Sequence, residues 1–423
     1  MGEKNIVILG GSWAGINSAH YFLKNVLPKL PQDTTTYKVF LISPSSKYWH
    51  RVGGPRAIIS KTALPREKLI QDIPSHFTHY PDGIFTFIEA TATALDTEAR
   101  TVNYRLTTTT SATEAIPYHA LLIATGVSSR FAPFNHLADI TVLESALDQT
   151  SAKIASASTI VIAGGGPAGV ETAGEIASFK NGEPAWYAGT NTHPTAKITL
   201  LTSDAKLLPF LRPALAQRAH RYLARLGVTV TYNTRVESTT DSAAGDQTII
   251  NLSSGEQMTA DLYIPALGVV PNTAFAPPHI LTAQGKINSD KALRVVSAGP
   301  RVYAVGDVGA HVTRGGIMAI AAQVPVAMTN LHRDLLACAA ADGDEKTGVV
   351  ATASGPDRVY EEDMRENQSV PVGRGKAVGA FGGWRMPSFM LWLVKGRDYL
   401  LWTAGMQLSG KAAGESKWTP PKK

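Results

Sequence analysis

Two glycine runs in this 423-residue chain are spaced to hold phosphate, and each is followed by residues able to act on what is held. The first closes Asn5-Ile-Val-Ile-Leu-Gly-Gly-Ser-Trp-Ala-Gly15, with Gly10, Gly11 and Gly15 around a tight turn. The second closes Thr159-Ile-Val-Ile-Ala-Gly-Gly-Gly-Pro-Ala-Gly169 and runs on into Val170 and Glu171. Glycine lets the backbone turn sharply and approach an anion, and the helix that starts there points unpaired N–H groups at it. Gly164, Gly166 and Gly169 complete the Gly-x-Gly-x-x-Gly pattern of a dinucleotide site; in the first run Ser12 stands where the middle glycine would be, offering a hydroxyl in place of bare backbone. Two such units in one chain point to two bound dinucleotides.

Three carboxylates stand near these runs or at the edge of the sheet they imply. Glu171 lies in the first turn after the second run, where it either compensates the helix dipole or hydrogen-bonds the amide of a nicotinamide ring. Glu175 follows one turn later on the same side and reads as structural or exposed. Asp307 ends Arg301-Val-Tyr-Ala-Val-Gly-Asp307, a buried strand that delivers a carboxylate to the C-terminal edge of a sheet, where ligands bind. A ligand hydroxyl is a natural partner for an acid whose burial is otherwise costly.

The elements that position these residues follow from apolar runs. Ile6 to Leu9 shows no polar alternation, the mark of a strand covered on both faces. Tyr37 to Ser43 reads as the second parallel strand; Ser43 replaces the acid that commonly binds a ribose, so that contact is bonded differently. Arg56 lies in the aromatic and basic stretch that follows, to neutralise pyrophosphate, pack on a ring or face solvent. Thr86 to Ala94 and Thr101 to Leu106 predict a β-meander, and Tyr118 to Gly126 a buried strand ending in Thr125 and Gly126. Ser128 to Pro133 reads as a linker. In the second unit Thr202, Ser203, Asp204 and Lys206 end the strand from Lys197, a mixed signal that leaves NADH and NADPH open. A helix at Pro213 to Leu226, a strand at Val228 to Asn233, a hairpin around Asp241 to Ser254 and a return at Asp261 to Asn272 follow. The helix from Gly316 through Met328, with Met318 in its first turn, aims its N-terminus at the ligand.

Composition sets bounds. With 44% hydrophobic and 17% charged residues the chain builds sizeable cores. No apolar run reaches the roughly 20 residues that span a bilayer. The chain enters its first strand at once, leaving no room for a signal peptide, and Ile6 stands where a myristoylation motif needs Ser or Thr. The single cysteine, Cys338, excludes a disulfide framework and a redox-active Cys-x-x-Cys pair, and its helical context suits a small apolar role. Net charge +6 favours anionic partners, but no nucleic-acid module accompanies it. No metal site is expected. Trp384, Met386, Phe389, Met390, Leu391, Trp392, Leu393 and Val394, bordered by Arg385 and Lys395, form either the core of a third unit or an interface with lipid or a second subunit. Gly410 to Lys423 reads as a mobile tail.

Gly-Gly-Ser-Trp-Ala-Gly at 10–15, Leu-Leu-Ile-Ala-Thr-Gly at 121–126, Gly-Gly-Gly-Pro-Ala-Gly-Val-Glu at 164–171 and Val-Tyr-Ala-Val-Gly-Asp at 302–307 together resemble the pyridine nucleotide-disulfide reductase superfamily, over Asn5 to about Leu336. The chain most resembles its ferroptosis suppressor and apoptosis-inducing-factor-like flavoproteins, whose closing segment is similar to Pro371-Val-Gly-Arg-Gly-Lys-Ala-Val-Gly379 and Lys395-Gly-Arg-Asp-Tyr-Leu400. The resemblance implies FAD in the first unit, NADH or NADPH as co-substrate in the second, and electron delivery to a quinone or similar small acceptor. Carried over by position, Ser12, Trp13, Ala14 and Gly15, beside Gly10 and Gly11, contact FAD phosphate. Arg56 touches the same cofactor, Ala92 its adenine, and Asp307 its ribityl or phosphate region. Lys395 matches a lysine near the flavin, while Leu400 stands where the family has an aromatic residue. The N-terminal lipid signal of the animal members is missing.

The expected fold is α/β: two Rossmann-like dinucleotide-binding domains with β-meander insertions, plus a C-terminal α+β segment, in a glutathione-reductase-like architecture. The expected division is 1–128 and 273–347 for the FAD-binding domain, 129–272 for the NAD(P)H-binding domain, and 348–423 for the C-terminal domain and tail. The expected enzyme is an FAD-dependent NAD(P)H oxidoreductase of quinone-reductase type, monomer or homodimer, cytoplasmic or peripheral on a membrane or mitochondrial surface, with membrane contact through the C-terminal apolar segment. A flavin-dependent oxidase or monooxygenase, or a redox-sensing interaction protein with little turnover, is the alternative.

Overall fold

The computed structural model describes residues 2–32, 35–108, 113–184, 190–191, 194–341 and 355–418. β1 (Gly2–Leu9), α1 (Trp13–Tyr21) and β2 (Thr35–Ser43) form the first strand-turn-helix-strand unit. β3 (Phe85–Asp96), β4 (Thr101–Leu106) and β5 (Thr113–Pro117) make the meander, and β6 (Ala120–Ile123) returns beside β1. α2 (Ile140–Ser156) leads into a second copy: β7 (Thr159–Ala163), α3 (Pro167–Asn181), β8 (Lys197–Leu201), α4 (Pro213–Arg225) and β9 (Val228–Thr231). Next come β10 (Val236–Asp241), β11 (Thr248–Leu252), β12 (Gln257–Ala260) and β13 (Leu262–Pro265). β14 (Val302–Ala304) and α5 (Ile317–Ala341) rejoin the first unit, and β15 (Gln368–Val372), β16 (Lys376–Phe381) and α6 (Leu401–Leu408) close the chain.

The first sheet runs β14-β6-β1-β2-β3-β4-β5, parallel through β3 and antiparallel beyond it. The second runs β9-β8-β7-β13, all parallel. Ile6 to Leu9 and Ile160 to Ala163 are buried throughout, as strands between helical layers must be. In both sheets the glycine run leaves the C-terminal edge of a central strand, where α/β proteins bind ligands.

Four expectations need correction. The expected linker, Ser128 to Pro133, is paired at its first residue: Val127–Ser128 lies antiparallel to Val270–Pro271, so the crossings between the sheets run side by side. The Asn272 side chain ties them, donating to Thr125 O at 2.9 Å and accepting from the Ser128 hydroxyl at 2.8 Å. The expected hairpin gains a third strand, β12. The helix that begins after Gly316 does not stop at Met328 but continues to Ala341 with Pro325 inside it, held by burial of Val324, Ala327, Met328, Leu331 and Leu335 in the first core. Finally, the segment after Gly410 is fastened down through Trp418. Lys24 Nζ donates to Gly410 O at 2.8 Å, Asn25 Nδ2 to Ala413 O at 3.0 Å, and Lys29 pairs with Glu415 at 2.5 Å. Its prolines, Pro420 and Pro421, and the proposed division at 347/348 lie outside the described residues.

Candidate functional site

The two glycine cradles have nearly the same geometry. Gly10 has φ +114° and Gly164 φ +128°, values that L side chains rarely adopt. A Cβ on Gly10 would lie 2.4 Å from Ala124 O, and one on Gly164 would lie 2.1 Å from Ala266 O. Gly15 and Gly169 sit so tightly that a Cβ on either would lie 1.8 Å from the carbonyl oxygen of Gly10 or Gly164. The position before each helix is extended: Ser12 has φ −118°, Gly166 has φ −75°. The backbone there does not demand glycine, which explains how Ser12 fits the first cradle. Around Gly166 and Gly126 a Cβ would meet nothing within 4 Å, so both face open space.

Hydroxyls take the place of acids at the end of each second strand. A Cβ on Gly11 would lie 2.5 Å from Ser43 Oγ, and one on Gly165 would lie 2.4 Å from Thr202 Oγ1. Ser43 Oγ is buried with no partner among the described residues. A buried hydroxyl beside a phosphate turn is the group a ribose would satisfy, so the first cradle fits an adenine dinucleotide. Thr202 Oγ1 accepts from the Asp204 N–H, two residues on, at 3.2 Å, and Asp204 itself is exposed.

α3 brings two acids inward. Glu171 and Glu175 are 3% and 1% exposed. Lys395 Nζ reaches Glu171 Oε1 at 2.5 Å and Ser369 O at 3.2 Å. Burial raises the Glu171 carboxyl above its ordinary range, against the pull of the Lys395 ammonium. Glu171 is therefore paired, one turn inside the second cradle, with a residue 224 positions away. Glu175 is buried and structural rather than exposed, and Arg56 is its partner, with Nη2 at 2.7 Å and Nε at 3.0 Å from the carboxylate oxygens.

Other expected residues lie as follows. Asp307 is half-buried three residues past β14, its Oδ1 accepting from Gly316 N at 3.0 Å. Met318, in the first turn of α5, is 64% exposed. Trp13 starts α1 and is buried, its ring 6.1 Å from that of His50. Thr125 Oγ1 donates to Asn272 O at 2.7 Å. Ala92 pairs with Tyr104 beside a bulge in the meander.

Sequence reasoning passed over Arg51 and His136. Arg51 Nη1 donates to Val127 O at 2.9 Å, next to open Gly126. Burial pulls its guanidinium below the usual arginine range, with Asp307 and then Tyr48 pushing back. Both ring nitrogens of His136 are buried without a partner among the described residues, and burial, with Arg51 nearby, takes its imidazole down to about 4. Only the loop's own basic composition hinted at Arg51.

The model of the pyridine nucleotide-disulphide oxidoreductase family matches residues 4–329. The chain belongs to this family. It is 42% identical over 416 residues to oxidoreductase phnG of Penicillium herquei, covering 97% of each chain. It is 23% identical over 316 residues to human ferroptosis suppressor protein 1, covering 72% of this chain and 74% of that one. The sulfide:quinone oxidoreductase of Aquifex aeolicus superposes with a TM-score of 0.69 at 16% identity, over 97% of this chain and 93% of the other, a likeness of fold. Family members bind FAD and use NAD(P)H, and this chain is an NAD(P)H-dependent oxidoreductase.

Among the described residues no helix is long and apolar enough to cross a membrane. The C-terminal apolar cluster divides. Leu391 is buried and the Trp392 indole donates to Arg374 O at 2.6 Å, whereas Trp384, Phe389 and Leu393 are 80%, 69% and 52% exposed. Trp402 joins them at 51%.

Proposed function

We propose that the chain passes a hydride from NAD(P)H to FAD and the electron pair onward to a quinone or similar small acceptor, the hydride's proton and one from solvent completing the quinol. The observation that carries this reading is the pairing of Lys395 with buried Glu171 on the helix opened by the second cradle. It supplies a carboxylate to orient a carboxamide and an ammonium to stabilise negative charge, with no cysteine pair in the chain.

In this reading Gly10, Gly11, Ser12, Trp13, Ala14 and Gly15 hold the FAD diphosphate and Ser43 its ribose. Ala92 lies toward the adenine, Thr125 and Gly126 line the cleft, and Asp307 and Met318 stand at the sheet edge and helix start facing the flavin end. Arg51 brings to the same cleft a guanidinium with one hydrogen bond among the described residues, which suits the diphosphate charge better than Arg56, whose three nitrogens are all engaged. Gly164, Gly166 and Gly169 hold the nicotinamide dinucleotide. The division 1–128 with 273–347, 129–272 and 348–423 goes with this assignment.

Exposed Trp384, Phe389 and Leu393, beside Arg385, support a peripheral contact with a lipid surface, from which an apolar acceptor is drawn. Anaerobic mixing with NADH or NADPH tests the core of the proposal: bound flavin absorbance bleaches with at least one of them and returns on adding a soluble quinone. A colourless protein, or flavin that neither nicotinamide reduces, overturns it. Sedimentation with vesicles, lost in Trp384→Ser/Phe389→Ser, tests the lipid contact.

A further inference from the structure

One turn beyond Glu171, Glu175 gathers three distant parts of the chain. Its Oε1 accepts from Arg56 Nη2 at 2.7 Å and from the Tyr399 hydroxyl at 3.1 Å, while Oε2 accepts from Arg56 Nε at 3.0 Å. Arg56 Nη1 donates to Arg397 O at 2.8 Å, and its guanidinium carbon lies 4.7 Å from the centre of the Tyr399 ring. The Tyr399 carbonyl accepts from His50 Nε2 at 2.8 Å, and His50 Nδ1 lies 3.1 Å from the Tyr48 hydroxyl. The loop after β2, helix α3 and the turn at 395–400 thus meet at one buried carboxylate.

That turn is strained. Tyr399 and Leu400 both sit in the left-handed region, at φ +54° and +63°, which costs a side-chain-bearing residue of order 1–3 kcal/mol and persists only where surrounding contacts over-determine it. Here the contacts are those of Glu175, Arg56 and His50. The same turn carries Lys395, whose carbonyl accepts from Tyr399 N at 2.6 Å and whose ammonium lies 5.9 Å from the Tyr399 ring. A buried ion pair adds little net stability over apolar residues of the same shape, so what it supplies is a fixed geometry. What this one fixes is the segment that delivers Lys395 to Glu171.

We infer that Glu175, Arg56 and Tyr399 are positioning residues, a clamp that locks the left-handed turn and thereby sets the Lys395 ammonium against Glu171. The inference rests on the reading of Lys395 and Glu171 as the pair that meets the nicotinamide and the flavin. It moves Arg56 from cofactor contact to clamp.

The test is anaerobic stopped-flow bleaching of the full-length holoprotein by NADH, in Glu175→Gln and the milder Tyr399→Phe, each made alone and with Lys395→Met. The clamp predicts that either variant slows the limiting rate by about tenfold while half-saturating NADH barely moves, and that neither changes the rate by more than about twofold once Lys395 is gone, because nothing is left to position. Effects that persist undiminished in the Lys395→Met background, or wild-type limiting rates in both single variants, overturn it. A wild-type protein that binds flavin but is not bleached by either nicotinamide sinks the underlying reading instead, an outcome distinct from any difference between variants.

Discussion

The two cradles share a backbone and diverge in what their helices carry. Counting from the first glycine of each, Gly15 corresponds to Gly169, Asn17 to Glu171, His20 to Gly174 and Tyr21 to Glu175. On α1, Asn17 is spent on its own helix, its Nδ2 donating to Trp13 O at 2.9 Å. On α3 the same position holds an acid paired with Lys395, and the next inward position an acid paired with Arg56. On the proposed reading the first cradle holds its dinucleotide, and the second holds one and acts on it. Its middle glycine faces open space, as suits a site that exchanges its dinucleotide at every turnover.

The sharpest way to break this comparison is to fill one cradle at a time. A valine at Gly15 or Gly169 must displace a carbonyl oxygen that even a Cβ would approach to 1.8 Å. Gly15→Val is expected to purify without flavin, read as the ratio of 450 to 280 nm absorbance, whereas Gly169→Val keeps its colour and loses bleaching by nicotinamide. If both come out colourless, the cradles are not separate sites. Next in size, Glu171→Gln keeps flavin and nicotinamide binding but slows bleaching by about a hundredfold, the loss typical of one preorganised electrostatic contact. Equal slowing by Asn17→Asp would erase the distinction drawn between the helices. Arg51→Met releases flavin on dilution roughly tenfold faster, followed by recovery of flavin fluorescence, with the absorption maxima unmoved; an unchanged release rate removes Arg51 from the cleft. Smaller again, Thr202→Glu puts an acid where ribose contacts form and favours NADH over NADPH by about tenfold more than wild type, read as the ratio of kcat/KM values.

Both glycine units were legible because strand, turn and helix are local: Ile6 to Leu9 and Ile160 to Ala163 announce buried strands, and Gly10, Gly15, Gly164 and Gly169 stand where Cβ atoms cannot. The place of Ser12 was legible too, but not its harmlessness, which depends on an extended φ that no pattern prints. The charged centre was not legible as a unit. Lys395 was reached only through a family likeness, and nothing in the local sequence tells that Arg56 meets Glu175 rather than phosphate, since the pair is 119 residues apart and completed by Tyr399 from a third segment. The segment after Gly410 misled for the same reason. Its small and polar composition suits a tail, and its order comes from Lys24 and Asn25, almost 400 residues upstream.

His20 offers the gentlest probe of how the two helices differ. At the corresponding place on α3, Gly174 packs directly against the backbone of Gly373, a contact without a titrating group. His20 instead receives the end of α6 through its ring: Nε2 donates to Leu408 O at 2.7 Å and Nδ1 lies 2.8 Å from the Tyr80 hydroxyl. The ring also stacks on Phe77 with centroids 4.1 Å apart. Burial takes the folded-state pKa from 6.5 down to about 4, the Leu408 hydrogen bond opposing it. Above 6.5 the ring is neutral folded or unfolded, and its contribution is complete. As pH falls from 6.5 toward 4 the unfolded chain binds a proton that the fold refuses, so stability declines across that window by up to about 3 kcal/mol for this residue. His20→Gln keeps a polar side chain facing Leu408 without a titrating group. Unfolding measured from pH 7 to 4 should therefore show the variant losing less stability than wild type by close to one proton's worth of slope, with its deficit largest at neutral pH and shrinking toward acid. Parallel curves would mean that the contact of His20 with Leu408, like that of Gly174 with Gly373, acts by packing alone.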